Sequence, residues 1–253
     1  MSYTIAVCGK GGTGKTTFSA LLIAELAKQH QGEGIIAVDA DPNANLDQAL
    51  GLLAENSIVS IVDSISANPA QIPPGTTKDR FLEYQIQDSL AEADGFDLLV
   101  MGRPEGPGCY CFINNLLRTL IKKLTKSYNY MVIDNEAGME HLSRRTARKI
   151  DLLFIVSDYS LVGLRSAKRI LDLIGELKIT VRESRLVINR ATDGIEKLKA
   201  EIKHLGIPLA GVIPQDEEVA KISLENGNLK KLSQNSKAKQ MVSKICKEVA
   251  SGS

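Results

Sequence analysis

Short apolar runs alternate along this chain with longer segments whose apolar residues recur every three or four positions. Ile5–Cys8 is an apolar run that stops at Gly9. From Thr16 to Ala27, Phe18, Leu21, Leu22 and Leu26 fall on one helical stripe. Ile35–Val38 is a second run, and Phe96–Met101, Tyr130–Ile133, Leu152–Val156, Leu186–Ile188 and Leu209–Ile213 continue the series. Helical periodicity fills Leu161–Leu177 and Ile195–Leu205, and Met241, Val242, Ile245 and Val249 share one face of a tail helix. Strand, helix, strand at this spacing predicts an α/β fold, a mostly parallel sheet with helices on both faces. In such a sheet the sites lie at the carboxyl ends of the strands. The stretch 56–94 is less regular; the alternation in Phe81–Ser89 predicts an extra strand there. No linker or repeat divides the chain, so one domain is expected over residues 1–253.

The first strand-to-helix junction carries chemistry. Gly9-Lys-Gly-Gly-Thr-Gly-Lys-Thr16 fits the phosphate-loop pattern and sits between a predicted strand and a predicted helix. Glycines at Gly9, Gly11, Gly12 and Gly14 let backbone N–H groups converge on phosphate oxygens, and the helix N-terminus adds positive potential. Lys15 is placed to neutralise the β and γ phosphates, and Thr16 to hold Mg2+; Thr13 and Thr17 complete the loop. Asp39-Ala-Asp-Pro-Asn43 follows the second strand, where a carboxylate can orient water or hold a metal-bound water. Tyr130-Met-Val-Ile-Asp134 is an apolar strand ending in an acid, so Asp134 is the candidate contact to Mg2+ through water. Gly138 lies in the following Asn135-Glu-Ala-Gly138 segment, free to offer its N–H to a γ-phosphate.

Composition narrows the class. The chain has 253 residues, with 31 Lys+Arg against 30 Asp+Glu and a net charge of +1, so no global basic field marks it as a nucleic-acid binder. No apolar run approaches a membrane span, and Met1 runs almost directly into the first strand without a signal-peptide pattern. A cytoplasmic protein with no stable membrane insertion is expected. Four cysteines are too few for a disulfide framework. Cys109 and Cys111, in Gly106-Pro-Gly-Cys-Tyr-Cys111, precede a predicted helix bearing Phe112, Ile113, Leu116, Leu117, Leu120, Ile121 and Leu124. A helix N-terminus favours thiolate, and two thiolates are half a tetrahedral site that a two-fold dimer would complete. Softness alone nominates zinc, copper(I) or an iron–sulfur cluster.

The extra lysine in the loop, Lys10 of KGGTGKTT, resembles the deviant Walker A motif of the ParA, septum-site and nitrogenase-iron-protein class of P-loop NTPases, the SIMIBI type. The resemblance implies ATP or ADP as ligand, with Lys10 reaching across a homodimer and Asp41 positioning the attacking water. Lys10, Lys15 and Asp41 are then the catalytic candidates, with Asp39 near the nucleotide. Val187-Ile-Asn-Arg190 and Gly211-Val-Ile-Pro-Gln215 resemble the adenine-side elements of that class. Asn189 is expected on the base edge, Arg190 stacked on the ring, and Pro214 and Gln215 closing the other face. With GPGCYC and DNEAGMEHL, where His141 stands and no cysteine follows the second acidic motif, the chain resembles CooC-type ATPases, accessory to nickel insertion into carbon monoxide dehydrogenase and acetyl-CoA synthase. This implies Ni2+ or Zn2+ on Cys109 and Cys111 at a dimer interface, and one of those enzymes as client. The rivals are a membrane- or DNA-associated positioning ATPase and an iron–sulfur carrier.

Overall fold

The computed structural model of the protein describes residues 2–103, 119, 123, 126–136, 149–225 and 227–250. Eight strands form one sheet: β1 (Tyr3–Gly9), β2 (Ile35–Asp39), β3 (Ala91–Ala93), β4 (Phe96–Val100), β5 (Tyr130–Asp134), β6 (Lys149–Asp158), β7 (Thr180–Ala191) and β8 (Leu209–Pro214), in the order β3-β4-β2-β5-β1-β6-β7-β8. Every pairing is parallel except β3 with β4. The α/β architecture expected from the chain pattern is therefore the one observed.

Strand alternation assigns the faces. Ile5 and Val7 of β1 point to one side, with α1 (Lys15–Gln29), α2 (Leu46–Leu50), α7 (Glu217–Leu224) and α8 (Lys237–Ala250). Ala6 and Cys8 point to the other. There α5 (Leu161–Glu176) and α6 (Lys199–Leu205) cover the β6–β7 half. The β2–β4 half is covered by α3 (Ile58–Ala67) and α4 (Lys78–Asp88). A parallel sheet buried on both faces needs apolar residues at consecutive positions, which is why β1, β2 and β5 read as unbroken runs. Phe18 of α1 meets Phe154 of β6 edge to face, ring centroids 5.1 Å apart, at the centre of this packing.

The strand expected at Phe81–Ser89 is a helix, α4. Only Leu82 and Ile86 on it are buried, four apart, which is helical and not alternating spacing. Thr77 starts it by accepting the Arg80 N–H at 3.4 Å. The extra strand exists, but as β3, where three residues pair back against β4. Cys109, Cys111, Gly138, His141 and the apolar residues of the helix expected from Phe112 lie outside the described residues.

Candidate nucleotide site

The carboxyl ends of the central strands meet along one rim of the sheet. Gly9 ends β1, Asp39 ends β2, Asp134 ends β5 and Asp158 ends β6, with Asn189 near the end of β7. Parallel register puts Asp39 beside Asp134, and Asp134 beside Val7. Gly9 lies so close to β6 that a Cβ there would collide with the Val156 carbonyl oxygen, so the chain leaves the sheet only through glycine. The loop then turns on the Lys10 carbonyl, which accepts the Thr13 hydroxyl at 2.9 Å, the Thr13 N–H at 3.4 Å and the Lys15 ammonium at 3.4 Å. Gly14 caps α1 with φ of 85°, a left-handed conformation, and a side chain there would strike the Asn189 amide. Lys15 is buried, at 7% exposure, while Lys10 points into solvent.

Asp134 lies beneath the loop. Its Oδ1 accepts the Ser19 hydroxyl at 2.9 Å, and Thr16 bonds to the same carboxylate. Burial pushes its carboxyl up to about 6, although the Thr16 and Ser19 hydroxyls and the Lys15 charge pull the other way. Burial lifts Asp39 further, to about 7, against the pull of two backbone N–H bonds and with the neighbouring Asp134 and Asp41 charges adding to it.

Asp39 is fully enclosed, and both its oxygens serve the chain. Oδ1 accepts the Asp41 N–H at 3.1 Å and Oδ2 the Leu46 N–H at 2.9 Å. It anchors the loop that carries Asp41. Asp41 itself is half-buried and turns that loop by accepting the Asn43 N–H at 2.9 Å and the Asn43 side-chain amide at 3.0 Å. An unfolded carboxyl titrates near about 4. The folded, nucleotide-free protein therefore binds protons more tightly through Asp39 and Asp134, and their contribution to stability is lost as pH rises from about 4 through about 7. Thermal melts of the nucleotide-free wild type across that range should fall more steeply than those of Asp39→Asn. Parallel slopes would show that these acids are not the source.

β7 pins the loop from the other side. The Asn189 amide donates to the Thr13 carbonyl at 2.8 Å and its Oδ1 accepts the Arg190 N–H at 2.9 Å. Arg190, left-handed at φ of 57°, donates through Nη1 to the Gly12 carbonyl at 3.1 Å. The base-edge and stacking roles expected for these two residues are thus not what their polar atoms do here: both hold the phosphate loop. Both also line, with Thr17, Pro214 and Gln215, a cavity of about 430 Å3 beside the loop. Its walls also include Phe18, Leu21, Ile213, Val219, Ala220, Ser223 and Leu224. Most of these were not legible as site residues; Asp216 after Pro214-Gln215 was the available signal, because an acid preceding a short amphipathic run marks a helix start.

Asn135 is buried and donates its amide to the Val7 carbonyl at 2.9 Å and to the Ile133 carbonyl at 3.2 Å, locking β5 against β1 just below the loop. Among the described residues no cluster of three or more His, Cys, Asp or Glu is arranged to hold a metal ion. The thiols of Cys8 and Cys246 are pushed up to about 12 by burial and stay protonated.

The arrangement is a glycine loop with a buried lysine, an acid and a hydroxyl beneath it, and an apolar cavity alongside. The profile of the CobQ/CobB/MinD/ParA nucleotide binding domain matches residues 4–229. The chain belongs to this family. Within it, the chain is 41% identical over 248 residues to an uncharacterized ATP-binding protein of Methanocaldococcus jannaschii, covering 97% of each chain. It is 37% identical over 186 residues to the carbon monoxide dehydrogenase accessory protein CooC of Rhodospirillum rubrum, covering 69% of this chain and 70% of that one. The cell division ATPase MinD of Pyrococcus furiosus has the same fold, with a TM-score of 0.73 at 21% identity over the whole of both chains. The matched span includes the loop Gly9–Thr17. No helix among the described residues is long and apolar enough to cross a membrane.

Proposed function

We propose that the chain binds ATP with Mg2+, hydrolyses it, and acts as a two-fold dimer that delivers nickel to carbon monoxide dehydrogenase or acetyl-CoA synthase. The observation that carries the client is the 37% identity to the carbon monoxide dehydrogenase accessory protein of Rhodospirillum rubrum. In this reading the phosphates sit on the loop N–H groups with Lys15 against the β and γ oxygens, and the base enters the cavity beside Thr17. The donors beneath the loop, a buried carboxylate at Asp134 and the Thr16 hydroxyl bonded to it, are hard oxygens that suit Mg2+. When bound, the ion supplies positive charge at the phosphate oxygens. Asp41, on a loop anchored by Asp39, orients the water. Lys10 is the exposed lysine of the loop, and in the dimer it reaches the partner's nucleotide. Nickel, the cargo, is held by Cys109 and Cys111 of both chains. The packing of α8 supports a carrier over a membrane-surface protein: Val242, Ile245, Cys246 and Val249 are all buried against the core, so the apolar face of this helix is already covered.

Anaerobic nickel titration of the nucleotide-free, ADP-bound and ATP-bound protein, read by native mass measurement, is the test. One nickel per dimer is expected, lost when Cys109 and Cys111 are both changed to Ser, with ATP affinity unchanged. One nickel per monomer, or nickel retained by the double variant, would overturn the shared site. For the reaction, Asp41→Ala should keep ATP affinity and lower turnover by about a hundredfold, since water orientation acts on the transition state. An equal fall in affinity would make Asp41 a binding residue instead.

A further inference from the structure

We propose that Asp216 is a positioning residue for the base of the bound nucleotide, because its single carboxylate fixes the helix that walls the cavity and ties it to the C-terminal helix. This rests on the reading that the base occupies the cavity beside the phosphate loop.

Asp216 follows β8, directly after Pro214 and Gln215. Its Oδ1 accepts the N–H groups of Glu218 at 2.9 Å and Val219 at 3.4 Å, the first-turn donors of α7. Its Oδ2 accepts the Ser236 hydroxyl at 2.8 Å and the Ala238 N–H at 3.0 Å, at the start of α8. A carboxylate offers about four acceptor sites, so this one is fully engaged by the chain and caps two helices at once. Partial burial pushes its carboxyl up, but the Ala238, Ser236, Glu218 and Val219 donors outweigh that and hold it below the ordinary carboxylate range. Glu218 adds a second tie, accepting the Ser233 N–H at 2.7 Å and the Ser233 hydroxyl at 2.8 Å.

The cavity depends on this junction. Val219, Ala220, Ser223 and Leu224 of α7 face it, and Ala238 of α8 closes the adjoining side. The loop that grips the phosphates is pinned separately by Asn189 and Arg190 of β7. Asp216 makes none of those bonds to the loop; its own reach the start of α7 and the start of α8, on the far side of the cavity from the loop's supports. A base that packs on α7 favours the conformation in which Asp216 caps both helices, and by reciprocity that cap favours the base. The C-terminal helix thereby senses whether the base is present.

The test compares ADP with tripolyphosphate, which carries no base, on wild type and Asp216→Asn by calorimetry with Mg2+ present. Asparagine keeps one oxygen but turns a donor toward the other pair of donors. ADP should bind the variant about tenfold more weakly, the equivalent of losing roughly one good cap, while tripolyphosphate stays within about twofold. Hydrogen exchange should show ADP protecting residues 237–241 in wild type, an effect absent with tripolyphosphate and absent in the variant. Equal losses for both ligands, or no loss for either, would overturn the positioning role. If Asp216→Asn does not fold, Ser236→Ala removes one Oδ2 donor and should give the same split at about threefold. If wild type binds ADP no differently from tripolyphosphate and gains no protection, the base-in-cavity reading itself fails, whatever the variants do.

Discussion

Replacing Lys15 by Ala should weaken ADP and ATP binding by at least about a hundredfold, close to 3 kcal/mol, because the loop loses its buried cation. Lys15 is 7% exposed and its ammonium rests on the Lys10 carbonyl at 3.4 Å, ready to exchange that oxygen for phosphate. The other loop lysine, Lys10, is exposed and cannot take over the position within the same chain. The variant should fold, since the Thr13 bonds to the Lys10 carbonyl and the Asn189 bond to the Thr13 carbonyl stay in place. Asp134 should then be still harder to ionise, having lost a neighbour that lowers its carboxyl. Titration with a fluorescent ADP analogue, alongside circular-dichroism melts, measures both. Undiminished affinity in a folded variant would remove the phosphates from this loop.

Phe154→Ala should be the most damaging change to stability, by about 3–5 kcal/mol, enough to lower the melting temperature by roughly 10 °C. Phe154 is fully buried in the middle of β6 and packs edge to face on Phe18, the residue that begins the buried stripe of α1. Both neighbouring strands and α1 are fixed by the rest of the sheet, so the space cannot close by collapse. The loss should appear as a lower melting temperature and denaturant midpoint with an unchanged denaturant slope. Because α1 also carries Lys15 and Thr16, nucleotide should partly restore the melting temperature through binding linkage. A loss below about 1 kcal/mol would mean the ring is replaceable by its neighbours.

How much of this was written in the chain depends on the kind of signal. Buried parallel strands such as Ile35–Asp39 and Tyr130–Asp134 declare themselves, because both faces demand apolar residues. β7 is twelve residues long, yet only Leu186–Ile188 reads as strand; its first half carries an exposed Arg182 and the half-buried ion pair of Glu183 and Arg185, and these charges hide the element. α3 lacks helix-forming residues and was invisible, though its Ser57–Ser60 capping box, with side chains bonding reciprocally at 2.9 and 3.1 Å, starts it locally. In the site, the glycine loop and the strand-end acids were legible because their spacing is itself the chemistry. The bonds that Asp39 and Asn189 make to the chain were not, since a polar residue at a strand end looks the same whether or not it also bonds a backbone group. Asp216 was half legible: its bonds to the Glu218 and Val219 N–H groups are a local cap, whereas Ser236 and Ala238 reach it only in the packed structure.

The short strand β3 has a consequence for how copies of the chain can meet. A parallel sheet ending at β4 would expose a continuous row of backbone donors and acceptors, an invitation to add strands from other molecules without limit. β3 covers that row with an antiparallel segment of three residues, too brief to serve as a template in its turn. Association by sheet extension is blocked on that side.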